Sequence, residues 1–393
     1  PLPFERLPRM FDHRFSWMDD ELDMLSDAMR GFVEKEMNPH EARWQAQGHV
    51  DRDFWLKAGE VGMLCASIPE EYGGHGGDFR HEAAITYAQY SGRGHSSFGL
   101  GVHAQICAWY ILEFGTEDQK KRWLPKMATG ELVCAIAMTE PGAGSDLQAI
   151  RTRARMDGNA YVVDGAKTYI SNGQQADLVI TAVKTDPSQG AKGVSLMVVE
   201  TADAPGFRRG RNLDKLGLKG QDTSELFFDG VRVPPENLLG GVEGQGFRQL
   251  MKNLAQERLV ICVTAAAMVR KALETTIAFA GDRTIFGARL LDKQNTRFRL
   301  AEVESTARAI HAYVDDLVAK HLRGELSSVD AAMAKWWIAE QTFEAVNKCL
   351  QLHGGAGYMA EYDISSMFTE ARLYQIAGGS AETMKDLIAR RYG

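Results

Sequence analysis

The hydrophobic pattern of this 393-residue chain changes its period twice, and this change limits the fold more than any other feature. Over residues 19–130 apolar side chains recur at three- and four-residue steps, which is typical of helices. Over residues 133–243 short β-branched runs alternate with turns, which predicts a small antiparallel β-domain. The helical period returns after Gly246, with predicted helix starts at Phe247, near Leu300, at Ser328 and at Ser380. We therefore predict a mostly α protein with a central β-domain, divided at residues 1–132, 133–243 and 244–393.

Charge and composition exclude several classes of protein. The 45 basic and 52 acidic residues form no concentrated basic stretch, so a nucleic-acid partner is not predicted. No apolar run approaches the roughly 18 residues of a membrane span. The five cysteines are scattered without a CxxC pair, which favours a reducing compartment over a zinc site or a disulfide framework. The basic positions Arg6, Arg9 and Arg14 resemble the remnant of a mitochondrial transit peptide, but acidic residues lie between them. We therefore predict a bacterial cytoplasmic location, with the mitochondrial matrix as the alternative.

A glycine-rich loop breaks the apolar run in residues 135–147, where Pro141 begins the turn. Hydroxyls of Thr139 and Ser145, together with backbone N–H groups, can donate to a phosphate or to the edge of a flavin. The dinucleotide-binding fingerprint requires a helix after such a loop, whereas residues 151–163 here are β-like. Taken alone, the loop is better interpreted as a surface turn between two elements than as a ligand-binding loop.

The residue that carries most information about chemistry is Glu257. It lies in an apolar helical stripe formed by Leu250, Leu254, Ile261, Ala265 and Met268. A carboxylate among apolar side chains loses hydration, which raises its pKa and makes it a better base near neutral pH. The alternative is a structural carboxylate that accepts a hydrogen bond from Asn253, one turn earlier. The stripe alone leaves both interpretations open.

Six segments in order along the chain resemble the acyl-CoA dehydrogenase family, and within it the long-chain enzymes. These segments are Ala135–Leu147, Lys167–Gly173, Leu213–Phe228, Gln256–Leu259, Gln351–Gly355 and Met384–Arg390. The resemblance implies an N-terminal helical domain, a barrel-like β-domain and a C-terminal four-helix bundle. It also implies FAD as cofactor, an acyl-CoA substrate, electron-transfer flavoprotein as partner, and a homotetramer built as a dimer of dimers.

The resemblance also assigns the catalytic residues. Most members place the catalytic glutamate before a Gly-Thr pair near the C-terminus, where this chain has Gly378. Long-chain and isovaleryl-CoA dehydrogenases place it in a Glu-Arg-Leu context, which Glu257 and its neighbours match. The implied reaction is α,β-dehydrogenation, in which Glu257 removes the α-proton while the β-hydrogen leaves as hydride to flavin N5. The Gly378 N–H and a flavin hydroxyl would bind the thioester carbonyl.

Further positions match cofactor and substrate contacts of the family. FAD contacts within the subunit are Met138, Thr139, Ser145, Tyr169, Ile170, Ser171, Ser380 and Glu382. Contacts to the FAD of a neighbouring subunit are Arg283, Phe286, Gln294, Gln351, Gly354 and Gly355. Contacts to the CoA thioester are Ser145, Lys192, Arg248, Gln256, Arg258 and Gly379. Taken individually, Arg283 is also compatible with a surface charge, and the glycine pair with a helix C-cap.

We therefore predict an FAD-dependent dehydrogenase of medium- to long-chain, possibly branched, acyl-CoA. One alternative keeps the fold but transfers electrons to O2, as flavin oxidases and monooxygenases do; such oxidases usually carry a longer C-terminal region. The other alternative is a non-catalytic acyl-CoA-binding protein. A hydrolase and a metalloenzyme are not predicted, because the G-x-S-x-G and H-E-x-x-H motifs are missing and no histidines have ligand spacing.

Overall fold

The computed structural model describes residues 14–91 and 97–393 and has three parts along the chain. A helical part comes first, a curled sheet follows, and a second helical part completes the chain. The predicted fold class is therefore confirmed. Two of the three basic positions considered as a transit remnant, Arg6 and Arg9, lie outside the described residues. Across the described ranges, no helix is long and apolar enough to cross a membrane.

Two helices of the first part begin with a side-chain cap. Its helices are α1 (Asp20–Phe32), α2 (Glu41–Gln47), α3 (Arg52–Glu60), α4 (Phe79–Ser91), α5 (Ala108–Phe114) and α6 (Glu117–Ala128). Asp19 caps α1 by accepting from the Leu22 N–H, and Thr116 forms a reciprocal capping box with Gln119 at the start of α6. These caps satisfy backbone donors that the first helical turn leaves free.

A π-helical segment, Gly101–Cys107, leads directly into α5. Segments of this kind occur frequently at functional sites. The buried His103 fixes it, because Nδ1 accepts from the Cys134 N–H at 3.1 Å and Nε2 donates to the Met127 carbonyl at 3.0 Å. Burial lowers the pKa of His103 to about 4, so the ring is neutral and can make both bonds. The segment is thereby held against α6 and the sheet.

The central sheet has seven strands in the order β1-β4-β2-β3-β7-β6, with β5 paired to β4. The strands are β1 (Cys134–Ala137), β2 (Arg153–Asp157), β3 (Ala160–Ser171), β4 (Leu178–Lys184), β5 (Val194–Glu200), β6 (Phe207–Asn212) and β7 (Thr223–Val233). The expected purely antiparallel sheet is wrong, because β1 and β2 both pair with β4 in parallel. Parallel pairing needs a long crossover, and the intervening chain supplies it.

The apolar runs 225–228 and 231–233, which the strand pattern predicts as separate strands around the turn-like pair Asp229-Gly230, form the single strand β7. The Asp229-Gly230 pair that suggested a turn is a bulge, where the register against β3 shifts between Val163 and Gly165. Gly230 has a φ of 64°, and its N–H donates to the Asp164 carboxylate. A bulge of this kind bends a strand without ending it, so a turn-like dipeptide occurs inside a continuous strand.

The last part is a bundle of five helices. They are α7 (Gly246–Asp282), α8 (Gln294–Leu322), α9 (Ser328–His353), α10 (Asp363–Ala371) and α11 (Ala381–Ala389), with a short hairpin of β8 (Thr284–Ile285) and β9 (Ala288–Arg289) after α7. The predicted starts at Phe247, Ser328 and Ser380 agree within one residue. α8 begins six residues before Leu300, because its first turns are mostly polar and carry little apolar signal. The short helix α10 was not predicted.

The long helix α8 runs antiparallel to α7 and α9, and the three helices share one apolar core. The C-terminal ends of α7 and α9 lie side by side, since the Phe279 ring stacks on His353 with centroids 4.3 Å apart. α7 has 37 residues, which corresponds to a length of roughly 55 Å. The bundle therefore has two well-separated ends, and the predicted site residues divide between them.

Candidate active site

Glu257 lies in the N-terminal half of α7 with only 6% of its surface exposed. Its Oε1 accepts a hydrogen bond of 2.8 Å from the Tyr110 hydroxyl on α5. The alternative that Asn253 holds the carboxylate is wrong, because the buried Asn253 Nδ2 makes no hydrogen bond. The carboxylate is therefore bound to another domain of the chain and not to its own helix.

The electrostatic setting of Glu257 suits a general base. Burial raises the pKa of Glu257 to about 7, against smaller lowering effects of the Tyr110 hydrogen bond and the Arg258 charge. The predicted stripe is also present: Leu250, Ala265 and Met268 are buried on the same helix. A carboxylate with such a pKa is partly ionised near neutral pH and accepts protons more readily than an exposed one.

A tight turn at Gly378 and Gly379 lies opposite this stripe. Both glycines have positive φ values, 67° and 96°, which glycine adopts at the least cost. A Cβ atom added to Gly378 would lie 2.6 Å from Cδ1 of Ile261, one turn after Glu257. The structure therefore brings the two predicted catalytic positions together from distant parts of the chain, and a side chain on Gly378 would have to displace the end of the Ile261 side chain.

The glycine-rich loop and the end of β3 are held together in the central domain. The Thr168 N–H donates to the Thr139 carbonyl at 3.0 Å, and Lys167 Nζ donates to the Met138 carbonyl at 3.0 Å. Tyr169 has a φ of 61° and is 68% exposed, so its ring stands away from the sheet. An exposed aromatic face beside a loop with free donors fits the flat ring of a flavin.

The other predicted flavin contacts within the subunit differ in accessibility. Ser145 is exposed further along the loop and Ser171 is partly buried. Ile170 is 2% exposed and packs inside the sheet, so it can offer a ligand only its backbone. Ser380 caps α11 by accepting from the Thr383 N–H at 3.3 Å, and Glu382 is exposed on the first turn of the same helix.

Residues 99–110 connect the central domain to the base. The Asn172 Nδ2 donates to the Gly99 carbonyl at 3.1 Å, directly after β3. A Cβ atom on Gly101 would be 3.5 Å from Val260 on α7, and Tyr110 binds Glu257. The same segment thus touches the end of β3 and the helical face that carries the base, which places the candidate flavin surface and Glu257 at one cleft.

Two predicted CoA contacts lie at the N-terminal end of α7. Lys192 is exposed, and its carbonyl packs against Gly244, two residues before the helix. Arg248 is exposed on the first turn and donates to the Gln245 side chain at 3.1 Å. The helical rise from Arg248 to Glu257 is roughly 14 Å. Two cations therefore flank the open end of the helix that carries the base.

Gln256 and Arg258 occupy different surroundings. Gln256 Nε2 donates to the Gln105 carbonyl at 3.2 Å and so ties α7 to the first domain. Arg258 is buried, and its Nη1 donates to the Ser328 carbonyl at 3.3 Å, just at the start of α9. Gln256 thus links α7 to the first domain, and Arg258 links α7 to α9. Gly379, another predicted CoA contact, lies in the turn beside Gly378.

The six positions predicted to reach a neighbour's FAD lie at the opposite end of the bundle. Arg283 follows α7, and Phe286 is 96% exposed at the tip of the β8–β9 hairpin. Gln294 begins α8, and Gln351 and Gly355 are exposed at the end of α9. Gly354 has a φ of 59° and its N–H donates to the Gln351 carbonyl, which confirms the C-cap interpretation for this residue.

The six positions at the hairpin end and the cleft at Glu257 are far apart. Arg283 lies roughly 39 Å along α7 from Glu257 at about 1.5 Å per residue. The hairpin residues therefore lie far from the cleft of their own chain.

Two residues at the cleft were not predicted from the sequence. Tyr110 left no local signal, because its contact with Glu257 joins positions 147 residues apart. Lys335, which donates to the Gly379 carbonyl, interrupts the apolar run 331–338, and a cation in such a run could have drawn attention to it. No three His, Cys, Asp or Glu side chains within the described residues are placed to hold a metal ion.

The fold and the cleft define a three-domain protein in which a buried carboxylate faces a glycine turn beside an exposed aromatic surface. Three family descriptions match it: acyl-CoA dehydrogenase N-terminal domain at residues 19–131, middle domain at 135–231 and C-terminal domain at 244–393. The chain is 41% identical to the mitochondrial long-chain specific acyl-CoA dehydrogenase of Sus scrofa over 372 residues, covering 94% of this chain and 86% of that protein.

Solved structures give the same result. The acyl-CoA dehydrogenase of Geobacillus kaustophilus is 44% identical with a TM-score of 0.93, covering 96% of this chain and all of that one. A glutaryl-CoA dehydrogenase of Mycobacterium smegmatis in complex with FADH2 is 26% identical with a TM-score of 0.88, covering 95% of each chain. The chain belongs to the acyl-CoA dehydrogenase family, whose members are FAD flavoproteins. It is therefore an FAD-dependent oxidoreductase that acts on acyl-CoA thioesters.

Proposed function

We propose that the protein oxidises medium- to long-chain acyl-CoA, including branched chains, to the trans-2-enoyl-CoA and passes the electrons to electron-transfer flavoprotein. The observation that carries this proposal is the buried Glu257, held by Tyr110 and facing Gly378. The 41% identity to a long-chain enzyme supports the substrate class. Relatives come from bacteria and mitochondria, so we propose the bacterial cytoplasm, with the mitochondrial matrix as the alternative.

The catalytic roles follow from the geometry of the cleft. Glu257 Oε2 takes the α-proton, while Oε1 remains bound to the Tyr110 hydroxyl, which fixes the direction of the free oxygen. The Gly378 N–H donates to the thioester carbonyl, where negative charge develops as the α-proton leaves. FAD, when bound, accepts the β-hydrogen as a hydride. The apolar stripe around Glu257 excludes water, which keeps its pKa raised.

We propose that the loop at Met138, Thr139 and Ser145 and the strand end at Tyr169–Ser171 hold the flavin, with Ser380 and Glu382 beside it. Lys192 and Arg248 flank the entrance for the CoA phosphates, because their charges are exposed at the end of α7. Gln256, Arg258 and Gly379 line the approach behind them. The contacts of Gln256 and Arg258 with carbonyls of other elements support an indirect role.

One observation of the purified protein separates this proposal from its two alternatives. We expect yellow protein whose flavin absorbance bleaches anaerobically on addition of a saturated acyl-CoA. Rapid return of the colour in air would instead indicate an oxidase, and colourless protein would indicate a non-catalytic acyl-CoA-binding protein. A chain-length and branching series of kcat/KM then tests the proposed substrate class, which fails if short or dicarboxylic acyl-CoA is preferred.

We further propose a homotetramer in which the hairpin end of one subunit completes the FAD site of another. The roughly 39 Å between Glu257 and Arg283 along α7 supports this proposal, because the hairpin is too far away to serve its own cleft. The 96% exposure of Phe286 supports it too, since an apolar ring at the tip of a hairpin suits contact with a second copy or a cofactor.

Arg283→Ala is expected to weaken FAD retention about 10- to 100-fold, because it removes one charge-assisted contact to the cofactor. The loss of FAD is measured by dialysing the protein against buffer without FAD and following the released flavin by its fluorescence. The tetramer should also become less stable to heat. Arg323→Ala is the matched control, since Arg323 is exposed and paired with Glu325 at the other end of α8. A monomer that holds FAD as tightly as the tetramer would contradict the shared site.

A further inference from the structure

Lys335 on α9 is a fully buried cation that the catalytic scheme does not yet use. None of its surface is exposed, and its Nζ donates to the Gly379 carbonyl at 2.5 Å. Its partner is a neutral carbonyl, which compensates less for the loss of hydration than a carboxylate does. A methionine would fill a similar volume without that cost, so packing of α9 does not account for an ammonium group at this position.

Burial disfavours the charged form of Lys335, and the neighbouring groups act on its pKa in both directions. Burial lowers the pKa of Lys335 to about 8, and the neighbouring Arg258 charge acts in the same direction. Cys262 on α7 and Glu382 on α11 act in the opposite direction, with smaller effects than burial. Arg258 is itself buried and bonded to a carbonyl. Two buried cations therefore lie close to each other, and one of them contacts the glycine turn.

The turn that Lys335 contacts has little rigidity of its own. Gly378 and Gly379 have no side chains, and glycine has more backbone freedom than any other residue. Ile261 limits the turn on the side of α7, where a Cβ on Gly378 would collide with its Cδ1. Lys335 holds the turn from the other side through the carbonyl of Gly379. After the turn, Ser380 caps α11 and fixes the chain again.

We propose that Lys335 is a positioning residue that fixes the Gly378–Gly379 turn so that the Gly378 N–H meets the thioester carbonyl. It does not touch the substrate; it acts through the peptide backbone. This inference rests on the proposed function, in which Gly378 stabilises the charge that develops on that carbonyl. A displacement of about 1 Å at such a donor can cost on the order of 10²-fold in rate.

Lys335→Met is therefore expected to lower the rate constant of anaerobic flavin reduction about 10- to 100-fold, with KM nearly unchanged, because the lost contact matters most in the transition state. FAD content and oligomeric state are measured alongside. Lys335→Gln keeps a neutral donor and should show an intermediate rate. Lys348→Met is the matched control on the same helix, since Lys348 pairs with Glu302 at the surface, and it should behave as wild type.

A second readout responds to the position of the donor and not to general stability. A 3-oxoacyl-CoA has an acidic α-proton, and its enolate can be followed by absorbance when it binds the oxidised enzyme. We expect Lys335→Met to move the pH at half-ionisation upward by about one unit, which corresponds to a tenfold weaker stabilisation of the enolate. The Lys348→Met control should keep the wild-type midpoint.

The outcomes separate the two proposals. If the wild-type enzyme does not promote ionisation of the bound 3-oxoacyl-CoA, the proposed role of Gly378 fails. If the wild type does so, and Lys335→Met has the same midpoint and the same rate of flavin reduction, the role of Lys335 fails while the proposed function stands. If Lys335→Met does not fold, Lys335→Gln decides: an unchanged midpoint and rate overturn the inference, and a shift of both supports it.

Discussion

Glu257→Gln is expected to slow flavin reduction by acyl-CoA by a factor of about 10²–10⁴, the usual contribution of a general base. The amide keeps an oxygen that can accept from the Tyr110 hydroxyl, so the side chain should stay in place while the proton acceptor is lost. Anaerobic stopped-flow bleaching measures the rate. Glu82→Gln is the matched control, because Glu82 is another fully buried carboxylate, bound to Ser67. Reduction at nearly the wild-type rate in Glu257→Gln would show that Glu257 is not the base.

A second arm of this experiment moves the base to the facing turn. Gly378→Glu in the Glu257→Gln background would place a carboxylate opposite the same stripe, but its Cβ would meet Ile261 Cδ1. Ile261→Val removes that methyl group, so the triple variant should recover part of the activity, and more on short than on branched acyl chains. The positive φ of Gly378 adds strain of about 1–3 kcal/mol. A triple variant without any recovery would leave Glu257 as the base but refute an exchange between the two positions.

The change of kcat/KM with pH on the acid side of the profile should also be large. Glu257 acts as a base only when ionised, and burial raises its pKa to about 7. We therefore expect kcat/KM to rise with pH, by about tenfold per unit well below that pKa and by roughly 100-fold in total between pH 5 and pH 8. The groups that face Glu257 are Tyr110 on α5, Arg258 on α7 and the Cys107 thiol.

Tyr110→Phe should move this limb to higher pH. The Tyr110 hydroxyl stabilises the ionised carboxylate and lowers the pKa of Glu257, so its loss raises that pKa and less base is present at neutral pH. Tyr72→Phe is the control, because Tyr72 donates to the carboxylate of Glu117 and not to Glu257. A flat profile between pH 5 and pH 8, or a shift to lower pH in Tyr110→Phe, would contradict the assignment.

The order of the three domains was predicted correctly because hydrophobic period is a local property of the chain. The predicted helix start at Ser380 is local as well, and the structure confirms it, with Ser380 as the N-cap of α11. The strand pairing is not local, and the parallel neighbours β1 and β4 join segments more than 40 residues apart. The period of a strand does not encode its partner, so the expected antiparallel sheet was wrong.

At the cleft, helical periodicity was enough to predict that the Glu257 carboxylate lies in an apolar stripe, and the glycines at 378 and 379 are read directly from the chain. The partners of these residues depend on the packing of distant segments. Tyr110 reaches Glu257 across 147 residues of sequence, and Lys335 reaches Gly379 across 44. Such contacts depend on how whole helices pack, and no local pattern specifies them. The family resemblance assigned Arg283 to the FAD of a neighbouring subunit, but only the packed length of α7 puts Arg283 and Glu257 at opposite ends of the bundle.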